Sequence, residues 1–111
     1  MLYVNEDNSI HLTRGDTARI SVSVTNDVTG NEYEMNKSAT LTLTIKKRET
    51  DSQPLVKKVL TGSTSFHLLP SDTKNLSFGT YVYDVELVTE TGDVYTIIEP
   101  STFEILKEVT W

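Results

Sequence analysis

Apolar and polar residues alternate along most of the chain, which is the pattern of strands that bury one face. The alternation is clearest over residues 17–24, 41–46 and 80–89. In the last of these, Tyr81 and Tyr83 share one face with further apolar residues, and Asp84 and Glu86 lie on the other. Shorter segments predict strands over residues 9–13, 55–61, 65–69, 94–99 and 103–106, with Pro100 interrupting between the last two. The chain therefore predicts about eight short strands.

Turn signals separate these segments at intervals that suit a sandwich or barrel. Residues 49–54 and 90–93 are predicted to close two hairpins, the first between residues 41–48 and 55–61, the second between 80–89 and 94–99. One short helical turn is predicted near residues 71–76, because Ser71 or Asp72 can accept an orphan amide hydrogen at its start. No helix is long enough to connect parallel strands, so parallel doubly wound folds are excluded.

The predicted core consists of the apolar residues on the buried faces of these strands. Its members are Ile20, Val22, Leu41, Leu43, Ile45, Phe66, Leu68, Tyr81, Tyr83, Val85, Val94, Phe103 and Ile105.

Composition agrees with an all-β domain. The 111 residues include 17 Thr, 11 Val and 6 Ile but only two Ala, which disfavours a helix bundle. The length predicts one domain over residues 1–111, with loose ends at about residues 1–8 and 108–111. The formal net charge of −6 argues against non-specific nucleic-acid binding. No apolar run has the length of a membrane span, and no secretory signal is recognisable, so we expect no membrane partner.

Enzymatic chemistry is not expected from the motifs present. The chain has no cysteine, no G-x-S-x-G elbow and no glycine-rich phosphate loop. His11 and His67 lie in different predicted strands without metal-ligand spacing, and Asp84 and Glu86 are interpreted as solvated. The tripeptide Arg14–Asp16 is interpreted as a structural bend between strands rather than an adhesion motif. We therefore predict no catalytic residues, no metal site and no cofactor.

Charge is distributed unevenly along the chain. Residues 46–58 carry a local net charge of +3, because the five basic residues outnumber Glu49 and Asp51; the basic residues are Lys46, Lys47, Arg48, Lys57 and Lys58. Residues 84–108 carry a local net charge of −6. This distribution is either an ordinary solvated surface or an interaction surface. In the second case, the basic hairpin of one copy contacts the acidic sheet of the next, head to tail, in a ring.

Residues 76–85 resemble the start of the F strand in immunoglobulin-like domains. There a glycine and a tyrosine open the strand after a short turn, and the tyrosine hydroxyl bonds back to the backbone near that turn. Gly79 and Tyr81 are the corresponding corner residues here. The resemblance implies an immunoglobulin-like antiparallel β-sandwich.

Over its full length, the chain resembles tail-module proteins of phages and prophages of Gram-positive bacteria, and is similar to the N-terminal immunoglobulin-like domain of their baseplate upper proteins. The resemblance is carried by Gly15-Asp16 with the strand 18–22, by the strands 41–46 and 79–85, and by the terminal segment 101–105. It implies a non-catalytic structural protein of the virion, made in the host cytoplasm, whose partners are other phage structural proteins and further copies of itself. The alternative is a carbohydrate- or surface-binding adhesion module, for which Tyr33, Tyr95 and Trp111 are the available exposed aromatics.

Overall fold

Strands dominate the computed structural model, which describes residues 2–4, 8–24 and 38–108. The strands are β1 (Leu2–Val4), β2 (Ile10–Thr13), β3 (Ala18–Ser21), β4 (Thr40–Lys46), β5 (Val56–Thr61), β6 (Ser65–Leu68), β7 (Gly79–Val88) and β8 (Val94–Leu106). The one helix within the described residues is the short turn α1 (Pro70–Thr73). The prediction of an all-β protein is confirmed.

The strands form two sheets. The larger is six-stranded in the order β1-β2-β8-β7-β4-β5, and the smaller pairs β3 with β6. Both predicted hairpins are present, because β4 pairs antiparallel with β5 and β7 pairs antiparallel with β8. The prediction of purely antiparallel sheets is wrong, however, since β2 runs parallel to β8. These two strands lie far apart in the sequence, so no local turn signal reports their pairing.

Strand β8 continues through Pro100, so the prediction that Pro100 interrupts it is wrong. The register between β7 and β8 shifts twice, between Tyr83 and Val85 and again between Val85 and Glu86. At the first shift, Glu99 and Pro100 together lie opposite Asp84. Because a bulge leaves one residue outside the ladder, proline is tolerated there without the loss of a ladder hydrogen bond.

Strand β1 forms at a position where alternation predicts no strand. Leu2–Val4 pair antiparallel with Ile10–Leu12 of β2, on the side of β2 that faces away from β8. Among the described residues, β1 is a strand in addition to those predicted, and the uninterrupted β8 replaces two predicted strands by one.

A single core cluster of the described residues contains side chains from both sheets. The predicted core is confirmed except for Val94, which is 57% exposed. Val94 pairs with Val88, which follows Asp84 and Glu86 on the outward face of β7. In the continuous strand β8, Val94 lies nine residues from the buried Phe103, and the two shifts of one residue each cancel in their effect on alternation, so alternation places Val94 on the face opposite to Phe103. Seven apolar residues join the predicted ones: Ile10, Leu12, Ala18, Val24, Ala39, Val56 and Leu87.

The turn α1 lies one residue earlier than predicted and is shorter. Asp72 stabilises its start, since one carboxylate oxygen accepts a hydrogen bond from the backbone N–H of Leu69 at 2.7 Å. The carbonyl of Leu69 in return accepts a hydrogen bond from the N–H of Asp72 at 2.9 Å. This reciprocal pair satisfies a backbone donor that the first turn of a helix leaves open.

Candidate interaction surface

A groove of about 310 Å³ lies on the outward face of the six-stranded sheet. It is lined by Thr42, Thr44, Lys46, Glu49, Lys57, Val82, Tyr83, Asp84, Glu86 and Pro100. Most of these residues belong to the neighbouring strands β5, β4 and β7. We call this set of residues the outer groove.

The strand period places the polar residues of the outer groove on one face. Successive side chains of a strand point to opposite faces, so the residues of β4 and β7 that alternate with the core point outward. Thr44 pairs with Lys57 on one side and with Asp84 on the other, while Thr42 pairs with Glu86. Lys57 and Asp84 thus flank Thr44 in the same row of the sheet, about 10 Å apart at the usual strand spacing.

Four of the five charged residues of the outer groove form two halves; the fifth, Glu49, lies in the turn after β4. Lys46 and Lys57 form the basic half, on β4 and β5, and Asp84 and Glu86 form the acidic half, on β7. None of these four side chains forms an ion pair or hydrogen bond with any residue that the structure describes.

The five basic residues singled out from the sequence do not form one patch. Lys46 and Lys57 line the outer groove, whereas Lys58 faces the other side of β5, where its Nζ lies 2.9 Å from a carboxylate oxygen of Asp72. The Nζ of Lys47 donates to the carbonyl of Thr80 at 3.3 Å, and Arg48 lies in the exposed turn after β4. Strand alternation separates Lys57 from Lys58, although they are adjacent in the sequence.

The acidic residues are separated in the same way. Asp84 and Glu86 lie beside the basic half of the outer groove, while Glu104 and Glu108 have partners of their own. A carboxylate oxygen of Glu104 lies 2.9 Å from Nδ1 of His11 on the neighbouring strand β2. Positive and negative groups therefore share one outward face.

Tyr81 and Gly79 occupy the position predicted for a corner. The hydroxyl of Tyr81 donates to the carbonyl of Ser77 at 2.8 Å, a bond of the kind expected of a corner tyrosine. The ring is 4% exposed, and the Nζ of Lys47 lies 4.6 Å from its centroid. Gly79 has a φ of +137°, a conformation that side chains with a Cβ rarely adopt, which explains the glycine at this position.

The bend Arg14–Asp16 has a structural role, as the sequence indicates. The guanidinium of Arg14 donates to both carboxylate oxygens of Glu108, with Nε at 3.2 and 3.1 Å, and lies 4.3 Å from the ring centroid of Phe78. The buried N–H of Gly15 donates to Oγ1 of Thr73 at 2.8 Å. The hydrogen bonds from Arg14 hold the pKa of Glu108 below its usual value of 4.5.

Metal and aromatic chemistry add little to this surface. Among the described residues, no group of three or more His, Cys, Asp or Glu side chains is placed to hold a metal ion. Tyr95 is 54% exposed, whereas Tyr33 and Trp111 lie outside the described residues. In the part of the chain that the structure covers, no helix has the length and apolar character needed to cross a membrane.

Val82, Thr42, Thr44 and Pro100 were not singled out from the sequence as part of a site. Val82, Thr42 and Thr44 alternate with core residues along β7 and β4, and this alternation could have placed them on one outward face from the sequence alone. Comparison with known proteins gives no further identification, since no protein-family model and no curated protein matches this chain.

Proposed function

We propose that the protein is a non-catalytic structural protein of a phage or prophage tail or baseplate, which acts through protein–protein contacts in the virion. The observation that carries the proposal is the outer groove, where charges of both signs face outward without a partner among the described residues. A rigid sheet that presents such charges suits recognition of a complementary protein surface. The chain is made in the host cytoplasm and then incorporated into particles.

An immunoglobulin-like sandwich is the fold that we propose for this subunit. The order β8-β7-β4-β5 supports it, since it matches the sheet in which strands G, F and C are extended by strand C′. The separate pairing of β3 with β6 occupies the place of strands B and E. The hydrogen bond from Tyr81 to Ser77 adds the corner at the start of strand F.

The composition of purified particles tests the proposed function. We expect mass spectrometry of phage particles from the bacterium that encodes this chain to find the protein in fixed proportion to tail proteins. Genes for tail, tape-measure and holin proteins are expected next to its gene. Intact particles that lack the chain, while the same cells contain it in free form, would contradict the proposal.

A carbohydrate- or surface-binding module is the second candidate, supported by the exposed ring of Tyr95. Its ring does not line the outer groove. Sugar recognition combines an aromatic platform with nearby polar groups, so this candidate predicts binding on a glycan array that Tyr95→Ala abolishes. Absence of binding to every glycan leaves the structural role as the preferred proposal.

A further inference from the structure

We infer that the outer groove is a self-complementary contact by which two copies of this chain pair through a two-fold axis. The inference deepens the proposed function and rests on it, because it names a second copy as a partner of the same surface. It also replaces the head-to-tail ring considered from the sequence. The inference rests on one observation: the basic half lies beside the acidic half on the same outward face of the sheet.

The first step is the placement of the two halves. Strands β5, β4 and β7 are neighbours, and Lys57 and Asp84 flank Thr44 in one row. Glu86 lies on the acidic side one row away, opposite Thr42, while Lys46 lies at the other end of β4, opposite Val82. A line drawn between β4 and β7 therefore separates Lys46 and Lys57 from Asp84 and Glu86, while Glu49 lies in the turn after β4, beyond the paired rows.

The second step is symmetry. Consider two copies whose outer grooves meet face to face, related by a two-fold axis that lies in the plane of contact and runs along this dividing line. Rotation about that axis places the basic half of one copy over the acidic half of the other. The basic half of each copy then faces the acidic half of the other, and the same pairs form twice. A head-to-tail ring needs two different complementary surfaces, but here one surface carries both signs.

The third step is the strength of the contact. The outward face that holds the outer groove is about four strands wide and about seven residues long. With a spacing of about 4.8 Å between strands and a rise of about 3.3 Å per residue, it measures roughly 19 by 23 Å. Such a face is small beside the roughly 800 Å² that each partner contributes to a standard stable interface. The pairing is therefore expected to be weak and to depend strongly on charge and on ionic strength.

Charge reversal in matched pairs tests this symmetry. The acidic variant Lys46→Glu/Lys57→Glu makes both halves negative, and the basic variant Asp84→Lys/Glu86→Lys makes both positive. Sedimentation velocity is expected to show that wild type self-associates at low salt, that each variant alone stays monomeric, and that an equimolar mixture of the two forms a heterodimer. Wild-type association should weaken from about 0.01 M to about 1 M salt, as the screening length falls from about 30 to about 3 Å.

A control variant separates this contact from a general effect of net charge. Arg19→Glu/Lys107→Glu changes the net charge by the same amount as the acidic variant, at exposed residues away from the outer groove. The control should self-associate like wild type. Circular dichroism and urea unfolding establish that each variant is folded, and the salt dependence of wild type provides a readout that needs no variant.

Two results would overturn the inference: a wild type that is monomeric at every concentration and salt, or charge-reversed variants that associate as wild type does. Either result leaves the proposed function standing if the chain is present in particles, because its partners are then other virion proteins. Conversely, a two-fold dimer that is absent from particles supports the inference about pairing and contradicts the proposed role.

Discussion

The corner around Tyr81 and the outer groove share strand β7 but use their polar groups in different ways. At the corner, the side chains of Arg14, Thr73 and Tyr81 hydrogen-bond to other parts of the chain, and Thr73 is fully buried. In the outer groove, Lys57 and Asp84 make no such bond to a described residue. Buried and paired polar groups hold the fold together, whereas outward unpaired charges contribute little to stability and remain available for recognition.

The largest expected effect is at Tyr81. Tyr81→Ala removes a buried ring and the hydrogen bond to Ser77, so the free energy of unfolding should fall by about 3 kcal/mol or more. Tyr81→Phe keeps the ring and should lose about 1 kcal/mol. Urea unfolding at neutral pH measures both losses. A loss below about 1 kcal/mol for Tyr81→Ala would show that Tyr81 does not stabilise the fold as a corner residue.

The next effect is at Thr73, whose hydroxyl accepts the buried N–H of Gly15. Thr73→Val has a similar shape but leaves that N–H without an acceptor, so unfolding should become easier by about 1–3 kcal/mol. Thr73→Ser keeps the acceptor and serves as the control. Hydrogen exchange at the Gly15 amide should become faster in the Val variant only; equal protection in both variants would show that the hydroxyl has no structural role.

A smaller effect is expected from Glu108, through pH. Its pKa is lowered in the folded state by Arg14, so the folded protein holds the ionised form more strongly than the unfolded chain does. This contribution to stability is present above the unfolded pKa and is lost as pH falls through the folded pKa, that is, below about 4.5. Thermal melts from pH 6 to pH 3 should show a steeper loss for wild type than for Glu108→Gln, and parallel curves would contradict the pairing.

The sequence predicts this molecule well where alternation is uninterrupted. On β4 and β7, a period of two residues places the core and the outward charges correctly, because both strands are regular and have a neighbour on each side. The prediction fails for Val94, because it rests on two separate strands over residues 94–99 and 103–106, where the structure has one. In the single strand β8, Val94 lies an odd number of residues from the buried Phe103 and therefore on the opposite face. A bulge has no reliable signal in a single sequence, although a proline inside a strand, as at Pro100, is consistent with one.

The outer groove was only partly predictable. The separation of Lys57 from Lys58 follows from the strand period alone, so their distribution over two faces could have been read from the sequence. The proximity of Lys57 to Asp84 depends on how β4 pairs with β5 and β7, which brings residues together from distant parts of the chain. That register is set by the shared core rather than by local residue preferences.

The most direct test of the central claim removes the four charges of the basic and acidic halves without changing the net charge. The variant Lys46→Gln/Lys57→Gln/Asp84→Asn/Glu86→Gln removes two positive and two negative groups, and its unfolding and self-association are measured side by side with wild type. We predict an unfolding free energy within about 1 kcal/mol of wild type and loss of association at low salt, because exposed unpaired charges contribute little to stability. A loss of more than about 2 kcal/mol, with association retained, would contradict the division between a corner that supports the fold and a groove that recognises a partner.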